Sequence, residues 1–382
     1  MSNSSILIML HCAQNTGYAI GPLENSFKQA ALLAGYQEKN IFWSYQSISE
    51  PSPNVFKIEY QSLNDAAEFR KVKVKHSIDA VIAFDLPYPS IIGRTARELG
   101  ITTLVSYWGA SMSSINSGLK LLLKKAEWGF RKQHAPTHFI FESESMRNTA
   151  IKGRGVPKNK TEVIPLGVDT ELYYPDKNCN YAHKELDIPK HRKIIFYSGH
   201  MEERKGVKVL IEAMLELERQ SKLDELHLLI CGNKGDESKP FEAMLKNSQA
   251  ENHVTFAGYR NDIPELMRSS FIGAIASTGW DSFTMSSVEM MASGLPVIVS
   301  KLQGLKETIE PGECGEYIQP GSSKELVALL IEYSNNPNKH KSHSIASRNR
   351  ALQLFSKNSQ VTRIANSISK HPISQPKTQE TK

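Results

Sequence analysis

Short apolar runs rich in β-branched residues recur along the chain, separated by longer segments whose apolar positions repeat every three or four residues. The short runs are strand signals and the longer repeat is a helix signal; their alternation builds parallel sheets with helices on both faces. In the first half the pattern predicts strands at residues 6–10, 80–84, 101–107, 138–141 and 161–165, with helices at 23–34 and 88–99 among the connections. The second half restarts with strands at 193–198, 226–231, 253–256, 271–276 and 295–299, and helices at 205–217, 239–247 and 284–293. Helices then continue to about residue 368. Within 205–217, Val207, Leu210, Ile211, Met214 and Leu217 share one face at helical spacing, which marks them as core residues.

The class is therefore α/β, and 382 residues exceed one core of ordinary size. The segment IPLGVDTELYYPD, residues 164–176, ends the first periodic region with two prolines and a glycine. An interdomain linker is expected there, dividing a domain over 1–166 from one over 167–355. Residues 369–382 are polar and proline-interrupted, and are expected to lack fixed structure.

Composition narrows the class further. The 40% apolar and 23% charged fractions are those of a soluble globular protein. No run approaches the roughly 18 apolar residues of a membrane span, and residues 6–10 lack a basic stretch before them, so they are expected to form a buried strand and not a signal peptide. Cys12, Cys179, Cys231 and Cys314 are scattered, with neither zinc-site pairs nor disulfide density, which points to a reducing cytoplasm and no structural metal. A net charge of +6 without a concentrated basic module gives no reason to expect nucleic acid.

In an open parallel sheet, ligands gather where strands end and loops enter helix N-termini. One such loop is YSGHMEERKG, residues 197–206, in which Gly199 permits close backbone approach and Lys205, with Arg204, supplies cationic charge suited to a diphosphate. An ordinary charged loop capping a helix explains the same residues. A second is WDSFTMSSVEMMASGLPV, residues 280–297, where Asp281 precedes a helix that carries Glu289. Ser282 or Thr284 is suited to cap that helix. Glu289 either faces solvent or is buried against a partner such as a ribose hydroxyl pair.

Several motifs in order resemble the retaining GT-B glycosyltransferases called family 4. SGHMEERKGVKVLIEAM is similar to the family's loop and helix with a phosphate-binding lysine; DSFTMSSVEMMASGLPVIVS resembles its pair of acids separated by seven residues. IPLGVDTELYYP resembles its linker, and VTFAGYRNDIPELM its segment near the nucleobase. The resemblance implies two Rossmann-like domains facing each other across a deep cleft, with a final helix, 356–368, crossing back to the first domain. It assigns Lys205 to the diphosphate, Glu289 to the ribose, Gly258, Tyr259 and Arg260 to the base, and Asp281 with the N–H groups of Phe283, Thr284 and Met285 to the donor sugar or phosphates. Gly17, in the loop of residues 15–21, corresponds to a glycine-rich donor loop.

The implied activity is metal-independent transfer of a hexosyl or N-acetylhexosaminyl group from a nucleotide sugar, UDP favoured over GDP, with no other cofactor. The implied acceptor is a glycan, lipid-linked or small-molecule hydroxyl held by the first domain, with closure at the linker excluding water. Three positions depart from the family pattern: Asp281 stands for a longer acid, His200 for an arginine that joins the lysine, and Thr284 for a glycine. A related epimerase and a non-catalytic nucleotide-sugar binder are the competing readings.

Three further features belong to the first half. Trp108, after a strand, is suited either to stack on an acceptor sugar or to fill the core. His134 and His138 lie near a helix end and a strand start and carry little expectation of chemistry. GLKLLLKKAEWGFRK, residues 118–132, interleaves apolar and basic residues; it suits peripheral contact with anionic lipid on the inner face of a membrane, or a surface helix packing its apolar side inward.

Overall fold

The computed structural model describes residues 4–176, 179–232 and 235–369. The chain divides between Pro165 and Leu166 and again between Ser356 and Lys357, so the first unit combines the N-terminal part with the last helix and the second is continuous. In the first unit the strands are β1 Ser5–Met9, β2 Ile41–Tyr45, β3 Val55–Lys57, β4 Ile78–Phe84, β5 Thr103–Trp108, β6 His138–Phe141 and β7 Thr161–Val163. They form one sheet in the order β3-β2-β1-β4-β5-β6-β7, every pairing parallel. The second unit contains β8 Lys193–Ser198, β9 Leu226–Cys231, β10 Val254–Phe256, β11 Ile272–Ile275, β12 Val297–Ser300 and β13 Gly315–Ile318, ordered β10-β9-β8-β11-β12-β13 and again all parallel.

Parallel sheets need both faces covered, which is why the central strands are predominantly apolar: β1, β9, β11 and β12 are buried at every position. In each sheet the strand order reverses once, at β1/β4 and at β8/β11. A crevice opens at such a reversal, and ligands of open α/β sheets bind there.

Three strands escaped the sequence pattern: β2, and the short β3 and β13. The helix predicted at 23–34 is Gly17–Leu33, so most of the expected glycine-rich loop is helical and Gly17 is its first residue. The division at Pro165/Leu166 falls inside the segment expected as linker. Past Pro165, residues 166–176 are folded onto the second unit: the Val168 N–H donates to the Phe355 carbonyl at 2.7 Å, and Arg348 donates to the carbonyls of Thr170 and Tyr173.

The last helix, Lys357–Ile368, packs in the first unit, where Val361, Ile364, Ala365 and Ile368 join the core of Ile6, Phe27 and Ile82. The tail expected at 369–382 lies, from residue 370, outside the described residues. No described helix is long and apolar enough to cross a membrane.

Candidate functional site

β8 leads into the loop that carries Lys205, and β11 into the loop that carries Asp281, on the two sides of the second sheet's reversal. The loop after β8 is held by the Tyr197 hydroxyl, which donates to the His200 carbonyl at 2.7 Å. Burial, with the charge of Asp281 adding, pushes that hydroxyl well above its ordinary pKa and keeps it a donor. A single turn, Glu203–Lys205, then meets Gly206 before the helix Val207–Arg219 begins.

Gly206 is required twice over. Its φ of +73° is left-handed, and a Cβ there would lie 1.8 Å from the Ala276 carbonyl oxygen. This close approach docks the turn on the end of β11, where the N–H groups of Thr278 and Gly279 donate to the Arg204 carbonyl at 2.8 and 3.2 Å.

The docking brings Lys205 to Asp281. The Lys205 Nζ lies 3.0 Å from Asp281 Oδ1, with the two side chains 17% and 4% exposed. Asp281 Oδ2 accepts from the buried Ser277 hydroxyl at 2.6 Å, and the Asp281 N–H faces Gln303 Oε1 at 3.4 Å. Arg204 joins the same edge: it donates to the Trp280 carbonyl at 3.0 Å and pairs with Glu202 at 2.7 Å. A carboxylate taken this far out of water is tolerable only with its charge compensated and its oxygens hydrogen-bonded, as they are.

The helix Met285–Ala292 starts four residues past Asp281, and Glu289 on it is buried and engaged in a polar interaction, which decides between its two sequence readings. Phe283 is buried edge-on to Phe355 and Met285 packs against the same core, so their side chains are structural and only their backbone N–H groups are suited to a ligand. The hydroxyls of Thr284 and Ser286 are buried without a hydrogen-bond partner among the described residues. These two orphans lie beside a helix N-terminus, where backbone N–H groups also lack intrahelical partners, a chemistry that suits an oxygen-rich anion.

Around this centre the remaining expected residues divide. Gly199 and Gly258 are joined through Gly232: the Gly199 N–H donates to the Cys231 carbonyl at 3.1 Å, and the Gly232 N–H to the Gly258 carbonyl at 2.8 Å. The ends of β8, β9 and β10 therefore converge in bare backbone. His200 and Tyr259 are exposed. The Arg260 guanidinium is bound by Asp262 at 2.8 Å and Glu185 at 3.2 Å, an anchor of its own loop.

The first unit decides between the two readings of Trp108 and supplies residues the sequence reading passed over. Trp108 does not follow β5 but ends it, and is packed at 8% exposure with Tyr88, Phe139 and Phe141; it fills the core and offers no face to a sugar. His138 opens β6 at 3.7 Å from Glu162, and His134 closes a turn whose carbonyl accepts from Ser90.

Two acids lie at the carboxyl ends of the strands that flank β5, Asp85 after β4 and Glu142 after β6. Asp85 adopts a left-handed φ of +54° and accepts from the Gly109 N–H at 3.0 Å. A Cβ on Gly109 would meet Glu142 Oε1 at 3.3 Å. Burial pushes Asp85 up to about 6 and, with the charge of Asp85 adding, holds Glu142 well above the carboxylate range. An acid immediately after a buried strand was the available signal, but it is also the commonest residue type of an ordinary loop.

The comparisons agree with this architecture. A model of glycosyl transferases group 1 matches residues 180–350, and a model of Glycosyltransferase Family 4 matches residues 36–172. A D-inositol 3-phosphate glycosyltransferase of Corynebacterium glutamicum is 30% identical over 184 residues, 46% of this chain and 44% of that protein. The match thus spans less than half the length of the curated relative. A glycosyltransferase structure from Rickettsia africae superposes with a TM-score of 0.78 at 17% identity, covering 96% of this chain and 99% of that one. Anabaena Alr3699/HepE, solved in complex with UDP, gives 0.74 at 20% identity, covering 95% and 99%.

Proposed function

The chain belongs to the glycosyl transferases group 1, the family 4 type built on the GT-B fold, and from that premise we propose that it transfers a hexosyl or N-acetylhexosaminyl group from a nucleotide sugar to a hydroxyl with retention of configuration. The observation that carries this reading is the meeting of Lys205, Asp281 and the start of the helix Met285–Ala292 at the reversal of the second sheet.

The diphosphate of the donor is taken by Lys205, the partnerless hydroxyls of Thr284 and Ser286, and the N–H groups opening that helix. An ammonium carries several N–H donors, so its contact with Asp281 leaves room for phosphate oxygens. Glu289 holds the ribose. The acceptor oxygen approaches the anomeric carbon on the face from which the diphosphate leaves, through an oxocarbenium-like transition state. Negative charge grows on the departing diphosphate, and fixed cations and N–H dipoles stabilise it without reorganising. No carboxylate nucleophile and no metal is required in this scheme.

UDP is favoured over GDP as the carrier; Anabaena Alr3699/HepE, of like fold, was solved with UDP. The acceptor is a glycan, a lipid-linked sugar or a small molecule. A cytoplasmic location fits four cysteines that are all unbridged. A second reading, a binder that retains nucleotide sugar without transfer, is favoured by one feature: both oxygens of Asp281 are already occupied, by Lys205 and Ser277.

Calorimetry with UDP, GDP and their sugars, with and without magnesium, tests the assignment. Selective binding that does not depend on magnesium is expected, weakened about tenfold or more in Lys205→Ala and in Glu289→Gln, in line with the loss of a charge-assisted contact. Donor turnover with sugar acceptors then separates transferase from binder. Unaltered affinity in both variants removes these residues from the site.

A further inference from the structure

A helix on a protein surface ordinarily turns its apolar side inward. The helix Gly118–Arg131 of the first unit does the reverse: none of its residues is buried. It is seated by Trp128, whose ring lies 4.8 Å from Tyr88 and 6.3 Å from Phe139, and by backbone contact at Lys124 so close that a Cβ on Gly155 would lie 2.6 Å from it. With about 100° of rotation per residue, three of the less exposed positions, Leu121, Lys124 and Trp128, fall on one side, and the fourth, Glu127, lies at its edge. Leu119, Leu122, Leu123 and Phe130 fall within an arc of about 100° on the other. They are 73%, 61%, 62% and 80% exposed, and Ile115, just before the helix, is 61% exposed.

Charge borders this apolar strip. Lys120 and Arg131 lie along one edge and Lys125 along the other, with Lys132 following. The only acid in residues 118–132, Glu127, is neutralised by Lys124 at 2.7 Å and Arg131 at 3.2 Å. A contiguous exposed apolar surface of this kind marks an interaction site, and its border decides the partner. Lysines and arginines flanking apolar side chains match a bilayer with anionic headgroups, which accepts the apolar strip at the acyl boundary and the cations at the phosphates.

We infer that the face formed by Ile115, Leu119, Leu122, Leu123 and Phe130 docks on an anionic lipid bilayer, with Lys120, Lys125, Arg131 and Lys132 at the headgroups. The inference stands apart from the transfer reading, because docking is measured with neither donor nor acceptor present.

Co-sedimentation of the full chain with vesicles of phosphatidylcholine, and of phosphatidylcholine mixed with phosphatidylglycerol, tests it. Binding to the mixed vesicles is expected, weaker at high salt, and reduced roughly tenfold or more in a Leu119→Gln, Leu123→Gln, Phe130→Gln variant. Lys120→Gln with Lys125→Gln is expected to remove much of the preference for the anionic lipid. All these side chains are exposed, so an unchanged thermal melt checks that the variants are folded. No binding to either vesicle, equal binding to both, or undiminished binding of the apolar variant overturns the inference. So does a concentration-dependent dimer that the apolar substitutions abolish, since a second copy of the chain would then cover the face.

Discussion

Buried charge is the most costly residue type to place, and the two units place it differently. In the second, the Asp281 carboxylate is compensated by Lys205 and Ser277. In the first, Asp85 and Glu142 are both buried, Glu142 against the charge of Asp85, with one backbone donor between them, from Gly109 to Asp85. Their folded-state pKa values are raised, so the folded protein binds protons more tightly than the unfolded chain. The stability this contributes is fully present below the ordinary carboxylate range and is lost as pH rises through the folded values, about 6 for Asp85 and higher for Glu142. The first unit should therefore melt at lower temperature at pH 8 than at pH 5. Glu142→Gln keeps the shape and removes the charge, and is expected to regain about 1–3 kcal/mol at pH 8 and little at pH 5. Scanning calorimetry at the two pH values checks this; an equal effect at both would mean that Glu142 does not carry the dependence.

Among elements, the turn at 203–206 determines the site. Gly206→Ala introduces a Cβ into the Ala276 carbonyl at a left-handed φ, and should destabilise the second unit by about 1–3 kcal/mol. Because the same turn carries Lys205, nucleotide affinity should fall with it even though no side chain that meets the ligand has changed. Titration of the folded variant decides the point; full affinity would show that Lys205 reaches its position without this docking.

Strand-to-helix order marked the loops of Lys205 and Asp281 as candidates, but their roles, and that of Glu289, came from the family resemblance of the motifs and not from periodicity. Gly206 was visible only as a glycine, since its clash partner, Ala276, lies just past β11 and about seventy residues away, beyond any local pattern. Trp108 was left between two readings because β5 runs one residue farther than its apolar pattern predicts, which places it in the core. β3 and β13 escaped because VFK and GEYI are too short and too mixed to show a period. The helix 118–132 was read as amphipathic, but periodicity alone does not say which face points inward.

At the scale of the whole molecule, the chain leaves the first unit once and returns to it at Lys357. The returning helix completes a core that the preceding strands and helices leave open. Ile364, Ala365 and Ile368 are fully buried there, and Gln360 donates to the Tyr107 hydroxyl at 3.1 Å. Tyr107 in turn stacks toward Phe84, the residue before Asp85. A segment at the far end of the sequence thus supports the strand ends that carry the buried acids, while the second unit closes its own core without it. Ile364→Ala should then cost about 2–5 kcal/mol, the range for truncating a fully buried aliphatic side chain. The loss should fall on the unfolding transition of the first unit. Nucleotide affinity should hold, because every residue assigned to the diphosphate lies in residues 166–356. Calorimetric melts with and without UDP read both quantities in one protein. A lowered transition for the first unit, with the UDP-dependent rise of the second intact, is the expected pattern; a substitution that abolished the UDP response while sparing the first transition would show that the last helix acts on the donor site.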